Sequence, residues 1–199
     1  MEKYDNALHG LLSALLMLLS IVANPAQAVT LSFNPATQSM AQGGTATVDL
    51  NISGLGNFAA PSLGAFLVEV TFDSSILSFD SVSYGAFLGD PANPIETDIV
   101  TTVGTGSVSL DEFSFLFDVE LDALQSADFT LATLQFSADA DGISALGFGA
   151  IDLSDAVGTS IVPTLETGEI AVVPLPASLL LFVSGLMSVL SMRKWKARA

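Results

Sequence analysis

Between Val29 and Val172 apolar and polar residues alternate one for one in segment after segment, and this period of two limits the fold more than any other feature. Alternation puts every second side chain on the same face of an extended strand, and a second layer must cover that face. The pattern runs through residues 29–33 (VTLSF), 46–52 (ATVDLNI), 66–72 (FLVEVTF), 76–82 (ILSFDSV) and 98–103. It continues through 108–117, 129–138, 143–151 and 168–173, which makes nine predicted strands. Turn-forming residues separate them: Gln42-Gly43-Gly44, Asp73-Ser74-Ser75, Gly89-Asp90-Pro91, Gly104-Thr105-Gly106 and Asp139-Ala140-Asp141-Gly142. Only residues 119–127 suit a short helical turn. Short strands at regular spacing favour an all-β sandwich or barrel over a parallel α/β sheet, the sandwich being the reading adopted, and no long linker or charge block divides the stretch. Twelve of the 13 phenylalanines lie within it. Phe113, Phe115 and Phe117 share one strand face and are read as core.

Charge narrows the chemistry. The five basic residues are Lys3, Arg193, Lys194, Lys196 and Arg198, the one histidine is His9, and there is no cysteine. Residues 29–172 therefore hold no cation and no imidazole, but they hold 19 of the 21 acids. Such a surface does not bind nucleic acid, whose affinity comes from neutralising phosphates with Lys and Arg. Zinc sites, thiolate nucleophiles, histidine bases, Schiff bases and phosphate clamps are excluded with the residues that make them. Carboxylates, hydroxyls and Tyr84 remain.

Three kinds of site can be built from that set. A glycosidase needs only two carboxylates. Asp111-Glu112 and the acids from Asp118 to Asp122 are the candidates, although they read better as solvated edges and turns, and no catalytic residue is assigned. A carbohydrate-binding face needs an aromatic platform, for which Tyr84 is the sole candidate. Calcium takes several oxygen ligands, and Asp139 with Asp141, and Asp152 with Asp155, bring carboxylates together in pairs. Neither pair completes an EF-hand loop.

The ends read as targeting segments. Residues 11–23 (LLSALLMLLSIVA) are apolar and lead into Ala26-Gln27-Ala28, the small-x-small pattern of a signal-peptidase site. Export through the Sec machinery and cleavage after Ala28 would start the mature chain at Val29; the alternative is an uncleaved anchoring helix. Residues 176–192 form a second apolar run, at the short limit for spanning a bilayer. Basic residues follow it, so the positive-inside rule makes the C-terminus cytoplasmic and holds the domain outside the inner membrane. This helix is either a permanent single-pass anchor or part of a sorting signal. The predicted organisation is a signal peptide (1–28), a sandwich domain (29–172) and a C-terminal segment (173–199).

Val173-Pro174-Leu175-Pro176-Ala177-Ser178, an apolar helix with Phe182 and Ser184-Gly185-Leu186, and Arg193-Lys194 occur here in order at the C-terminus. This set resembles the PEP-CTERM sorting signal, in the form with leucine between the prolines. The resemblance implies a Gram-negative host that makes extracellular polysaccharide, and cleavage near the Pro-x-Pro motif by an exosortase. Delivery to the cell surface or matrix would follow.

The sandwich region carries Leu63-Gly64-Ala65-Phe66, a strand, Asp73-Ser74-Ser75-Ile76-Leu77 and Ser81-Val82-Ser83-Tyr84-Gly85. Later come Ile151-Asp152-Leu153-Ser154-Asp155 and Gly168-Glu169-Ile170-Ala171-Val172. In these segments it resembles cohesin-like domains, which implies a nine-stranded jelly-roll sandwich akin to carbohydrate-binding modules. The expectation is an exported, non-catalytic adhesive or structural protein of an exopolysaccharide matrix. The alternatives are a carbohydrate-binding module or carboxylate enzyme, and an anchored cohesin with a protein partner. Calcium is the one cofactor entertained, and extracellular polysaccharide a possible contact.

Overall fold

The computed structural model describes residues 28–174, and Met187 apart from them. The chain enters as three strands, β1 (Thr30–Asn34), β2 (Thr37–Ala41) and β3 (Thr45–Ser53). Then follow β4 (Leu63–Thr71), β5 (Leu77–Tyr84), β6 (Thr97–Gly104) and β7 (Ser107–Ser114). One helix, α1 (Asp118–Leu124), precedes β8 (Phe129–Ala138) and β9 (Gly142–Asp155). β10 (Ser160–Ile161), β11 (Thr164–Glu166) and β12 (Gly168–Val173) complete the domain.

These strands build two sheets. One has the order β11-β1-β3-β8-β5; the other runs β2-β12-β9-β4-β7-β6, with β10 added to β9. The fold is the expected sandwich, with twelve strands in place of nine. The three extra ones are β2, β10 and β11, two to five residues long. Their local sequence gives no alternation to detect. They exist because β12, β9 and β1 offer open edges: β2 joins β12 and β11 joins β1, both in parallel. The pairings of β2 and β11 are remote in sequence and leave no local trace, while β10, two residues long, is too short to show a period.

Between the sheets lies one continuous core. Its centre holds Val48, Leu50 and Ile52 from β3, Leu134 and Phe136 from β8, Phe66, Val68 and Val70 from β4, and Leu110 from β7. Phe136 meets Phe72 and Phe79 edge to face at centroid distances of 5.2 and 5.9 Å. The turn Thr105-Gly106 joins β6 to β7 in two residues, and Gly106 (φ +73°) takes the left-handed conformation that such a turn requires.

Each sheet also has an outer face, and the two differ. The five-stranded sheet turns hydroxyls, amides and carboxylates outward, and these bond across strands. Thr133 donates to Asp49 at 2.6 Å, Thr130 to Asn51 at 2.8 Å and Ser137 to Asp80 at 2.6 Å. A face that satisfies its own polar groups in this way suits water. The second outer face does not look like this.

Candidate interaction surface

On the outer side of β6-β7-β4-β9 the register sets side chains in rows. One row reads Val100, Asp111, Leu67, Asp152, and the next reads Asp98, Phe113, Ala65, Ser154. Asp111 and Asp152 thus flank Leu67 from either side, about 10 Å apart at two strand spacings. A shallow groove of about 210 Å³ runs here between Ala65, Leu67, Asp111, Asp152 and Ser154.

Apolar groups continue this face past the end of β7. Phe113 and Phe115 are each 52% exposed and Phe117 is 75% exposed, which corrects their assignment to the core. The reason is parity. Val108 and Leu110 are buried, so on β7 the even positions face inward and Phe113 must face out, while Phe115 and Phe117 lie past the strand end and are exposed there. An aromatic triplet on one strand face says that the residues lie together, not on which side. Phe113 and Phe115 meet edge to face at 5.5 Å, and the Phe115 N–H donates to the Glu96 carbonyl at 2.8 Å, which extends the ladder. Val100, Ile95 and Val119 are exposed as well.

The same parity carries Glu112 inward, where it is fully buried. This corrects the reading of Asp111-Glu112 as a solvated pair: one acid lies outside the sheet and the other inside, so the two cannot act on one substrate atom. The Thr97 hydroxyl donates to Glu112 Oε1 at 3.1 Å, while Oε2 is buried without a partner. Burial pushes the Glu112 carboxyl up to about 7, against the smaller opposing pull of the Thr97 hydrogen bond.

Tyr84 stands at the same edge. Its ring stacks on Phe66 at 6.3 Å, and its hydroxyl meets the Thr101 hydroxyl at 2.8 Å and the Val100 carbonyl at 3.3 Å. It ties β5 to β6 across the two sheets. Burial raises its phenol, the Thr101 hydrogen bond lowers it, and the Glu112 charge adds a further upward push.

The acids from Asp118 to Asp122 belong to α1. Asp118 and Glu120 sit in its first turn, where negative charge offsets the helix dipole, and Glu120 accepts the Phe117 N–H at 2.9 Å. Gln125 holds the far end of the segment. Its side-chain oxygen accepts the Leu63 N–H at 2.7 Å, and its amide donates to the carbonyls of Leu63 (2.8 Å) and Phe87 (3.0 Å). Gln125 is fully buried, and no sequence pattern marks it out.

The four calcium candidates fall at opposite ends of β9. Asp139 and Asp141 precede the strand, while Asp152 and Asp155 lie near its far end. Asp155 Oδ1 accepts the N–H groups of Val157 (3.0 Å) and Thr159 (2.7 Å), the geometry of an Asx turn. Among the described residues no three acidic side chains gather closely enough to hold a metal ion. Nor is any helix there long and apolar enough to cross a membrane. Ala28, Val173 and Pro174 are described; Ala26, Leu175, Pro176, Ala177, Ser178, Arg193 and Lys194 lie outside the described residues, as do both apolar runs apart from Met187.

No known family model and no curated protein matches the chain. Solved structures do match in fold. The cohesin CaCohA2 of Clostridium acetobutylicum is 22% identical, with a TM-score of 0.59 over 74% of this chain and 92% of its own. A type I cohesin–dockerin complex from Clostridium thermocellum matches at 12% identity and TM-score 0.60, over 73% of this chain and 99% of its own. A non-cellulosomal cohesin from the archaeon Archaeoglobus fulgidus matches at 15% identity and TM-score 0.57, over 76% of this chain and 95% of its own. The sandwich of this protein is a cohesin fold.

Proposed function

We propose that this chain is an exported, non-catalytic interaction protein that binds a protein partner through the outer face of β6-β7-β4-β9. The observation that carries this reading is the exposure of Phe113 and Phe115 beside Val100, while the opposite outer face carries cross-bonded hydroxyls and carboxylates. Exposed aromatics gathered on one rigid face, with carboxylates around them, are what a docking surface requires. Matching cohesins crystallised with dockerins support a protein partner over a sugar. So does Tyr84, whose ring is committed to Phe66 and β6 instead of standing free as a platform.

Export and exosortase sorting complete the proposal. Their support is the placement of the folded strands. β1 starts at Thr30, just after the proposed cleavage at Ala28, and β12 ends at Val173, where the Pro-x-Pro motif begins. Both cuts would leave the sandwich whole. The mature protein would reside at the cell surface or in the matrix.

The test is saturable binding of the protein to matrix extract. Protease treatment of the extract and Phe115→Ser in the protein should each abolish binding, while enzymatic removal of polysaccharide should leave it. The reverse pattern would select the carbohydrate reading. Intact mass of surface-extracted protein should start at Val29 and lack residues 179–199; a full-length mass would refute processing.

A further inference from the structure

β6 is the free edge of its sheet. Among the described residues it pairs only with β7, in unbroken register from Thr97↔Ser114 to Gly104↔Ser107. Edge strands normally carry something that blocks further pairing, such as a bulge, a proline or a charge. β5, the neighbouring edge, has a bulge between Phe79 and Ser81, with Asp80 in it. β6 spans eight residues with no bulge, no proline and one charge, Asp98.

Its main chain is aimed outward. The two-residue turn makes Gly104 and Ser107 a hydrogen-bonded pair, so Thr102–Ser109, Val100–Asp111 and Asp98–Phe113 are bonded pairs too. The Phe115 N–H on the Glu96 carbonyl keeps the same alternation. The N–H and C=O groups of Ile99, Thr101 and Val103 therefore point away from β7, into the open edge. Val100 and Val103, on opposite faces of the strand, are 51% and 59% exposed.

We propose that β6 pairs antiparallel with β6 of a second copy of this chain, about a two-fold axis at Thr101. In that register Thr101 faces Thr101 and Ile99 faces Val103, so the outward groups of all three residues find partners and Val103 is covered. Val100 meets Thr102, and Asp98 meets Gly104 instead of another carboxylate. The pairing joins the two sheets side by side and turns both aromatic faces to the same side. This goes beyond the proposed partner binding and does not depend on it.

The absence of cysteine makes the test direct. Thr101→Cys in the full-length chain should oxidise to a covalent homodimer, because bonded antiparallel pairs hold Cα atoms about 5.5 Å apart, within disulfide reach. Thr47→Cys, exposed on the outer face of β3, is the control. At about 10 µM protein the Thr101→Cys rate should exceed the control by roughly a hundredfold, since pairing raises the local thiol concentration to about millimolar. Dimerisation should strengthen as salt rises from about 0.01 to about 0.15 M, because the two acidic bodies repel and the Debye length falls from about 30 to about 8 Å. Thr101→Pro removes an N–H that β7 does not use, so the fold should persist and sedimentation equilibrium should show a monomer. Equal rates for Thr101→Cys and Thr47→Cys, a wild-type monomer in sedimentation, a dimer that survives Thr101→Pro, or a cross-link to a different protein would each overturn the proposal.

Discussion

Glu112 gives this sandwich a pH dependence of known sign. In the folded chain its carboxyl protonates near 7, against an ordinary value of 4.5, because burial between the sheets disfavours the anion. Below 4.5 the folded and unfolded chains both hold the proton. Between 4.5 and 7 only the folded chain holds it, so stability falls as pH rises through that window. Each pH unit costs about 1.36 kcal/mol, which over this interval gives about 3 kcal/mol. Glu112→Gln keeps the shape and the acceptor for Thr97 but cannot ionise. The variant should match wild type within about 1 kcal/mol at pH 4.5 and exceed it by about 2–3 kcal/mol at pH 8. Urea unfolding at pH 4.5, 6, 7 and 8 measures the difference directly, and subtracting the two proteins cancels the repulsion among the remaining acids. Parallel stability curves for wild type and Glu112→Gln would refute the argument.

Other substitutions probe separate parts of the molecule. Gln125→Ala leaves the buried Leu63 N–H without a partner and frees the end of α1; denaturant unfolding should show a loss of about 2–4 kcal/mol. Phe136→Ala removes the ring that Phe72 and Phe79 pack against and should cost about 3–5 kcal/mol in the same assay. Phe115→Ser should change stability by less than about 1 kcal/mol, because the ring is half exposed, yet weaken partner binding at least about tenfold. A large stability loss from Phe115→Ser would mean that the ring is structural and would remove it from the docking surface.

The alternation from Val29 to Val172 was enough to indicate an all-β domain, sandwich or barrel, since each half-apolar strand must bury one face and the stretch offers almost no helical period to cover it. The lack of Lys, Arg, His and Cys in that stretch by itself excluded most catalytic chemistry. The turn at Asp73-Ser74-Ser75 was legible too: Asp73 Oδ1 accepts both the N–H (2.9 Å) and the hydroxyl (2.6 Å) of Ser75, a purely local arrangement that also lowers the Asp73 carboxyl.

Which face of each strand looks inward was decided only by the tertiary structure. On β7 both faces carry large apolar or acidic groups, so period two alone leaves two equivalent choices, and neighbouring strands settle the matter by burying Val108 and Leu110. That choice sends Phe113 and Phe115 out to form the docking face and sends Glu112 in, with its proton. Likewise Gln125 acquires its role from Leu63 and Phe87, 62 and 38 residues away, and β2 and β11 exist because distant strands leave edges to pair with. Local sequence encodes periodicity and turns because these depend on neighbours along the chain; sidedness and long-range hydrogen bonds depend on neighbours in space.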